Sequence, residues 1–155
     1  MAETMRMCHV VNATGDTSMP CDLATTQADF AEVEQVGVLG WFGVEDFNHM
    51  DRVETFSLDA PNTFRLPQSV YTAAKSVLFE YDLVHTHHPH SGLYGKLIAK
   101  RLGKPVIQTE HNNHRGYTLE GRIANGVSNV LADAVVCVSE SVWESFPRWE
   151  RLITN

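Results

Sequence analysis

The sequence predicts a doubly wound α/β fold, a mostly parallel, Rossmann-like sheet of about six strands with helices on both faces. Two observations predict it. Short apolar runs alternate with stretches of helical period along nearly all of the 155 residues. The unusual polar residues, six of the eight histidines among them, fall just after those apolar runs, where an open parallel sheet binds its ligands.

The elements follow in order. Arg6–Val11 (RMCHVV) reads as a first strand. Asp22–Glu34 reads as a helix with Asp22 as N-cap. Val36–Phe42 and Val53–Leu58 are the second and third strands, with no helix between them. Pro67 opens a helix whose Val70, Ala74, Val77, Leu78 and Tyr81 share one face. Asp82–His87 is the fourth strand, and Ser91–Leu102 a helix stopped by Gly103 and Pro105. Pro105–Thr109 is the fifth strand. Thr118–Leu131 is a helix with Leu119, Ile123, Val127, Val130 and Leu131 on one face. Ala134–Val138 is a fully apolar sixth strand, and Ser141 with Glu144 has capping-box spacing for a last helix. Right-handed crossovers favour the strand order 3-2-1-4-5-6.

Composition bounds the function. The length fits one domain of ordinary size, and 43% hydrophobic residues support a real core. A formal net charge of −7 argues against a nucleic-acid binder. Three cysteines without a CxxC pair predict neither a disulfide framework nor a zinc ribbon. Cys8 and Cys137 sit in apolar runs and read as small buried hydrophobes. The N-terminus lacks a signal-peptide pattern, and no run approaches the ~20 apolar residues of a membrane span. A soluble, cytoplasmic protein is expected.

The chemistry gathers after the first, fourth, fifth and sixth strands. Asn12–Asp16 holds Gly15, a turn residue or a phosphate or sugar contact. His85-Thr-His87-His88-Pro-His90-Ser91-Gly92 puts His85 and His87 on one strand face. Ser91 and Gly92 open a helix whose free N–H groups form an anion site, with capping by Ser91 as the plainer reading. After the fifth strand come His111, Asn112, His114 and Arg115. His111 is the sharpest candidate: such a histidine donates to a phosphate or sugar oxygen and exchanges protons near neutrality. Arg115 reads as solvated or as steering an anionic acceptor. Ser139 follows the sixth strand and reads as a helix cap or a ligand contact.

Residues Tyr81 to Ser139 carry a resemblance. The stretch YDLVHTHHPHSGLYGKLIAKRLGKPVIQTEH, followed by LADAVVCVS, resembles the N-terminal domain of family 4 retaining glycosyltransferases of the two-Rossmann-domain type. Three motifs carry it: D-x-V-H-x-H before a small-residue helix start, G-x-P-x-[VI]-x-T-x-H ending at His111, and A-D-A-V-[VI]-x-V-S ending at Ser139. The resemblance implies a domain that binds the acceptor, a glycan or a lipid-linked group. A second Rossmann domain would grip the nucleotide-sugar, a co-substrate, with no further cofactor and no metal. Transfer would proceed with retention in the cleft between the two. It implies His111 as the active-site histidine near the transferred sugar and the diphosphate. His87, His88, Ser91 and Gly92 would line the acceptor side with Asn112, Arg115 and Ser139, and Gly15 would fall in the first glycine-rich loop.

Two departures stand out. The first loop, TGDTSMP, has one glycine where the family has a pair. The sequence stops at RLITN, before the Gly-Val-Asp that leads family members into the donor domain. The expectation is therefore a fragment, a truncated product or half of a split enzyme, inactive alone, with a separate donor domain as partner and at most peripheral contact with a membrane's inner face. Two other classes compete. A metal-dependent hydrolase would use His85, His87, His88 and His90. A non-catalytic sugar- or nucleotide-binding module would stack ligands on Trp41, Trp143 or Trp149.

Overall fold

A computed structural model describes residues 4–12, 19–43, 52–61 and 65–147. Six strands form one parallel sheet: β1 (Met5–Val11), β2 (Val33–Gly40), β3 (Val53–Ser57), β4 (Leu83–Thr86), β5 (Val106–Glu110) and β6 (Ala134–Cys137). Their spatial order is β3-β2-β1-β4-β5-β6, and all five pairings are parallel. Strand order reverses between β1 and β4, the switch point of a doubly wound sheet. The helices are α1 (Met19–Gln27), α2 (Gln68–Phe79), α3 (Pro89–Arg101), α4 (Leu119–Asn129) and α5 (Glu140–Ser145), with a 3₁₀ turn at His114–Gly116.

Alternation along the central strands builds two cores. Cys8, Val10, Leu39, Val84 and Val106 face α2 and α3, where they pack with Ala74, Leu78, Ile98 and Ala99. Met7, Val11, Val36, Val38 and Leu83 face the other way, onto Cys21, Ala24 and Ala28 around α1. A period of two sends neighbours on each strand into opposite cores. Small residues let the layers close. A Cβ at Gly95 of α3 would stand 3.2 Å from both Thr86 Cγ2 and Val10 Cγ1, and one at Gly37 of β2 would overlap the Tyr81 hydroxyl.

Several boundaries differ from expectation for local reasons. α3 begins two residues early because Pro89 occupies its first turn, where a missing N–H costs nothing. Ser91 is thus inside the helix, and His88 holds the N-cap position. α1 starts at Met19, so Asp22 lies in its first turn instead of capping it. Ser139, not Ser141, caps α5: its side chain accepts from the Val142 N–H. Gly103 stops α3 as expected, at a φ of 70° that suits glycine.

One expectation is reversed. The apolar face of α4 is not its buried face: Leu119 is 72% exposed and Val127 62%, while Asn125, Ser128 and Asn129 are buried. β6, a fully apolar run, is an edge strand with Val136 half in solvent. Of the cysteines, Cys8 is buried as expected and Cys137 only partly so. No helix among the described residues is long and apolar enough to cross a membrane.

Candidate functional site

The site grows from the α1-facing side of β1, β4 and β5. His9 pairs in register with His85 across β1 and β4. His85 and His87 lie two apart and share a face, with ring centroids 4.2 Å apart. His111 continues the same face beyond the end of β5. The four rings pack together: His9 to His85 4.8 Å, His9 to His87 5.1 Å and His87 to His111 5.2 Å between centroids. Hydrogen bonds join three of them in a line. His9 Nδ1 meets His87 Nε2 at 2.8 Å, and His87 Nδ1 meets His111 Nε2 at 2.9 Å. His85 turns aside to bond Thr109 Oγ1 at 2.7 Å. At the outer end His111 Nδ1 lies 3.1 Å from Met19 Sδ at the start of α1.

Burial falls along this line. His9 and His87 are almost wholly buried, while His111 is half-buried at the carboxyl rim of the sheet. Burial disfavours the charged imidazole, and neighbouring rings add to it. His9 is pushed down to about 3 by burial and then by His85. Burial, with help from His111, takes His85 and His88 down to about 4 each. His87 lies well below the ordinary histidine value, through burial and four neighbouring rings, and burial also lowers His111. All five rings are therefore neutral at physiological pH.

The expected residues do not all meet at this rim. His87, His88 and His111 do; His88 accepts the Asn12 N–H through Nδ1 at 3.2 Å. Ser91 and Gly92 sit in the first turns of α3, buried against the sheet. The Ser91 N–H donates to Asn12 Oδ1 at 3.3 Å, so the β1 end already takes one of the helix's free donors. Gly92 serves packing: a Cβ there would stand 3.2 Å from Gln108 Oε1. Asn112 and Arg115 are exposed in the loop before α4, where the Arg115 N–H is held by Asn113. Ser139 is engaged as the cap of α5. Gly15 lies outside the described residues. Sequence reasoning missed His9 and Gln27, and named Asn12 only as the start of the first loop. The signal for His9 was a lone imidazole inside an apolar strand, on the face that β1–β4 pairing turns toward His85.

The histidine quartet expected to hold a metal is not the one the fold assembles. His90 turns to Phe42 and Tyr94, 5.3 and 5.6 Å between centroids. His9 takes its place, and ring nitrogens of His9, His85 and His87 lie within 4.8 Å of one another. Three neutral imidazoles are suitable ligands for a borderline-soft cation. Among the described residues no acidic group is found among the charges that act on these rings. Among the described residues a dication there has no carboxylate to compensate its charge. Trp41, a candidate sugar platform, is 2% exposed and stacked on Tyr94 at 5.4 Å, which makes it core.

A doubly wound parallel sheet with polar side chains gathered at its switch point defines a Rossmann-like α/β domain. Residues 23–149 match Glycosyltransferase Family 4, and the chain belongs to that family. Among solved structures it is similar to Anabaena Alr3699/HepE in complex with UDP and glucose, at 16% identity and a TM-score of 0.72 over 97% of this chain and 43% of that one. It is also similar to MurG of Acinetobacter baumannii (17%, 0.61, 92% and 43%) and to UDP-N-acetylglucosamine 2-epimerase from Rickettsia bellii (12%, 0.60, 92% and 41%). At these identities the likeness is one of fold. The chain spans about two-fifths of the length of each. No curated protein matches it.

Proposed function

We propose that this chain is the acceptor-side Rossmann-like half of a retaining glycosyltransferase. It would act with a donor-binding domain to move a sugar from a nucleotide-sugar to a glycan or lipid-linked acceptor. One observation carries the reading: His111 stands half-buried at the carboxyl rim beside the switch point, with buried imidazoles behind it. Family membership supports transferase chemistry, and HepE, a structural neighbour, is in complex with UDP and glucose. In this reading His111 touches the transferred sugar or the leaving diphosphate. Stabilising charge as it develops on the leaving group is the largest aid the site can give. His87 and His88 back it, and Asn112 and Arg115 meet the acceptor from the loop. In the same reading Ser91, Gly92 and Ser139 fix the backbone around the acceptor side, and Gly15 would contact the acceptor. The nucleotide would be held mainly by the second domain, so the chain alone transfers negligibly. Cytoplasmic action, peripheral at the membrane's inner face for a lipid-linked acceptor, fits this role.

The test is reconstitution with a donor domain and a nucleotide-sugar. His111→Ala is expected to lower turnover at least tenfold, about 1.4 kcal/mol of barrier. Unchanged turnover would remove His111 from the site. A metal-dependent hydrolase is the second reading, favoured only by the grouping of His9, His85 and His87. Metal analysis of the purified chain separates the two, since stoichiometric zinc would favour hydrolysis.

A further inference from the structure

The His9–His87–His111 line has a property that neither family membership nor the rim position supplies. Each of its two contacts joins two ring nitrogens at 2.8 and 2.9 Å, so each must hold one proton. A neutral imidazole has one N–H and one bare nitrogen. His87 takes part in both contacts and therefore donates in one and accepts in the other. Its choice fixes its neighbours. Either all three rings carry the proton on Nδ1, or all three carry it on Nε2.

The outer end of the line decides between the two. At the outer end His111 Nδ1 is 3.1 Å from the thioether sulfur of Met19, which can only accept. A bare Nδ1 there would set lone pair against lone pair, so the proton belongs on Nδ1. The inner end then leaves His9 Nε2 with a lone pair. That atom and Gln27 Oε1 are both buried and otherwise unsatisfied, and Gln27 is the side chain that approaches His9. A half-turn of the Gln27 amide places its NH₂ against that lone pair, while the unturned amide would accept an N–H from the same atom, so this end accommodates either pattern and the Met19 contact decides.

We propose that His9 and His87 are positioning residues that lock neutral His111 in its Nδ1–H form. The rim then holds an uncharged Nδ1–H donor, shared with the weakly accepting Met19 sulfur until a ligand oxygen replaces it. Such a donor fits an acceptor oxygen of a phosphate or a sugar and remains a donor at pH values where an ordinary histidine has become ambivalent. Its functional meaning rests on the glycosyltransferase reading; the lock itself does not.

The test is ¹⁵N NMR of the intact chain with labelled histidines at pH 7.5, without substrate. His9, His87 and His111 are expected in the Nδ1–H form. His87→Leu breaks the line, and His111 should change from no detectable Nε2–H form to a majority of it, the form free side chains favour in water. His87→Gln offers one acceptor and one donor and should restore Nδ1–H. A wild-type His111 that is Nε2–H or charged overturns the proposal. So does a tautomer unmoved by His87→Leu, or stoichiometric zinc bound at the expense of the ring protons. Should His87→Leu fail to fold, the wild-type spectrum and His87→Gln decide. Absence of transfer in a reconstituted enzyme would defeat the glycosyltransferase reading and leave these spectra untouched.

Discussion

Neighbouring residues on β4 and β5 build two polar interiors of opposite character. On the α1 side, His85, His87, Thr109 and His111 carry no charge, and their line of bonds runs out to the rim. On the α3–α4 side, Glu110 faces a buried cation, Lys96, and Gln108 accepts from the Thr86 hydroxyl. Glu110 accepts from Asn125 at 3.0 Å, from Asn129 at 3.3 Å and from the Tyr117 hydroxyl at 3.0 Å. Lys96 Nζ donates to Ser128 Oγ at 3.0 Å and Asn129 Oδ1 at 2.9 Å. Burial raises the Glu110 carboxyl, while Lys96 and the three donors oppose the rise. The second network closes on itself and does structural work. The first ends at a surface and is available to a ligand. A period of two lets one pair of strands do both.

The largest expected effect lies in acid. The folded pKa values of His9, His85 and His88 sit at about 3, 4 and 4, below the ordinary 6.5. Between those limits the unfolded chain binds protons that the folded chain refuses, so stability falls as pH falls. Each ring costs on the order of 2 kcal/mol by pH 5, and the three together rival the stability of a typical domain. Urea midpoints should drop steeply from pH 7 to pH 5. A flat profile would mean that these rings are not buried as a group.

Lys96→Met probes the other side. It keeps the length of the stem and strands a buried carboxylate, a change that costs about 3–5 kcal/mol. Urea unfolding at pH 7.5 measures it. Lys96→Met with Glu110→Gln should recover much of the loss, because the charge left behind is the main penalty. If the single variant costs under about 1 kcal/mol, the network is wetter than the packing shows.

The sheet was legible because parallel strands buried on both faces are apolar runs, and alternation with helices limits the order they can take. The rim was legible for the same reason: loops after strands gather where order reverses. His9 was not read, because a single polar residue in an apolar strand signals nothing until its neighbour across the sheet is known. The packing demand on Gly92 was not legible either, because the sheet behind it is set only by the fold: a Cβ there would crowd Gln108 and Thr86. α3 starts two residues earlier than its serine suggests because Pro89 takes the first turn, and at α5 the cap reading of Ser139 prevails over that of Ser141.

Gly95→Ala should give an intermediate effect. The added methyl meets Thr86 and Val10 at 3.2 Å, and neither side chain is at a flexible end. Overpacking of this kind costs typically about 1–3 kcal/mol. Because α3 starts at the rim and carries Lys96 in its interior face, a shift of α3 would touch both networks. The comparison is sharpened if the stability loss comes with altered NMR signals of His87 and His88, and broken if only Lys96 contacts respond.

The smallest expected effect concerns α4, whose faces are inverted relative to an ordinary amphipathic helix. Its inner face is polar because Glu110 and Lys96 need Asn125, Ser128 and Asn129 there, and buried charge without such partners is costlier than lost apolar burial. Its apolar residues are therefore turned outward, with Ile123 58% exposed. Ile123→Ser removes little buried area, so thermal or urea unfolding should change by less than about 0.5 kcal/mol. Asn125→Leu, conservative by volume and on the opposite face, should cost more, since it withdraws a donor from a buried carboxylate. If the order of those two losses were reversed, hydrophobic burial and not the Glu110 network would be what orients α4.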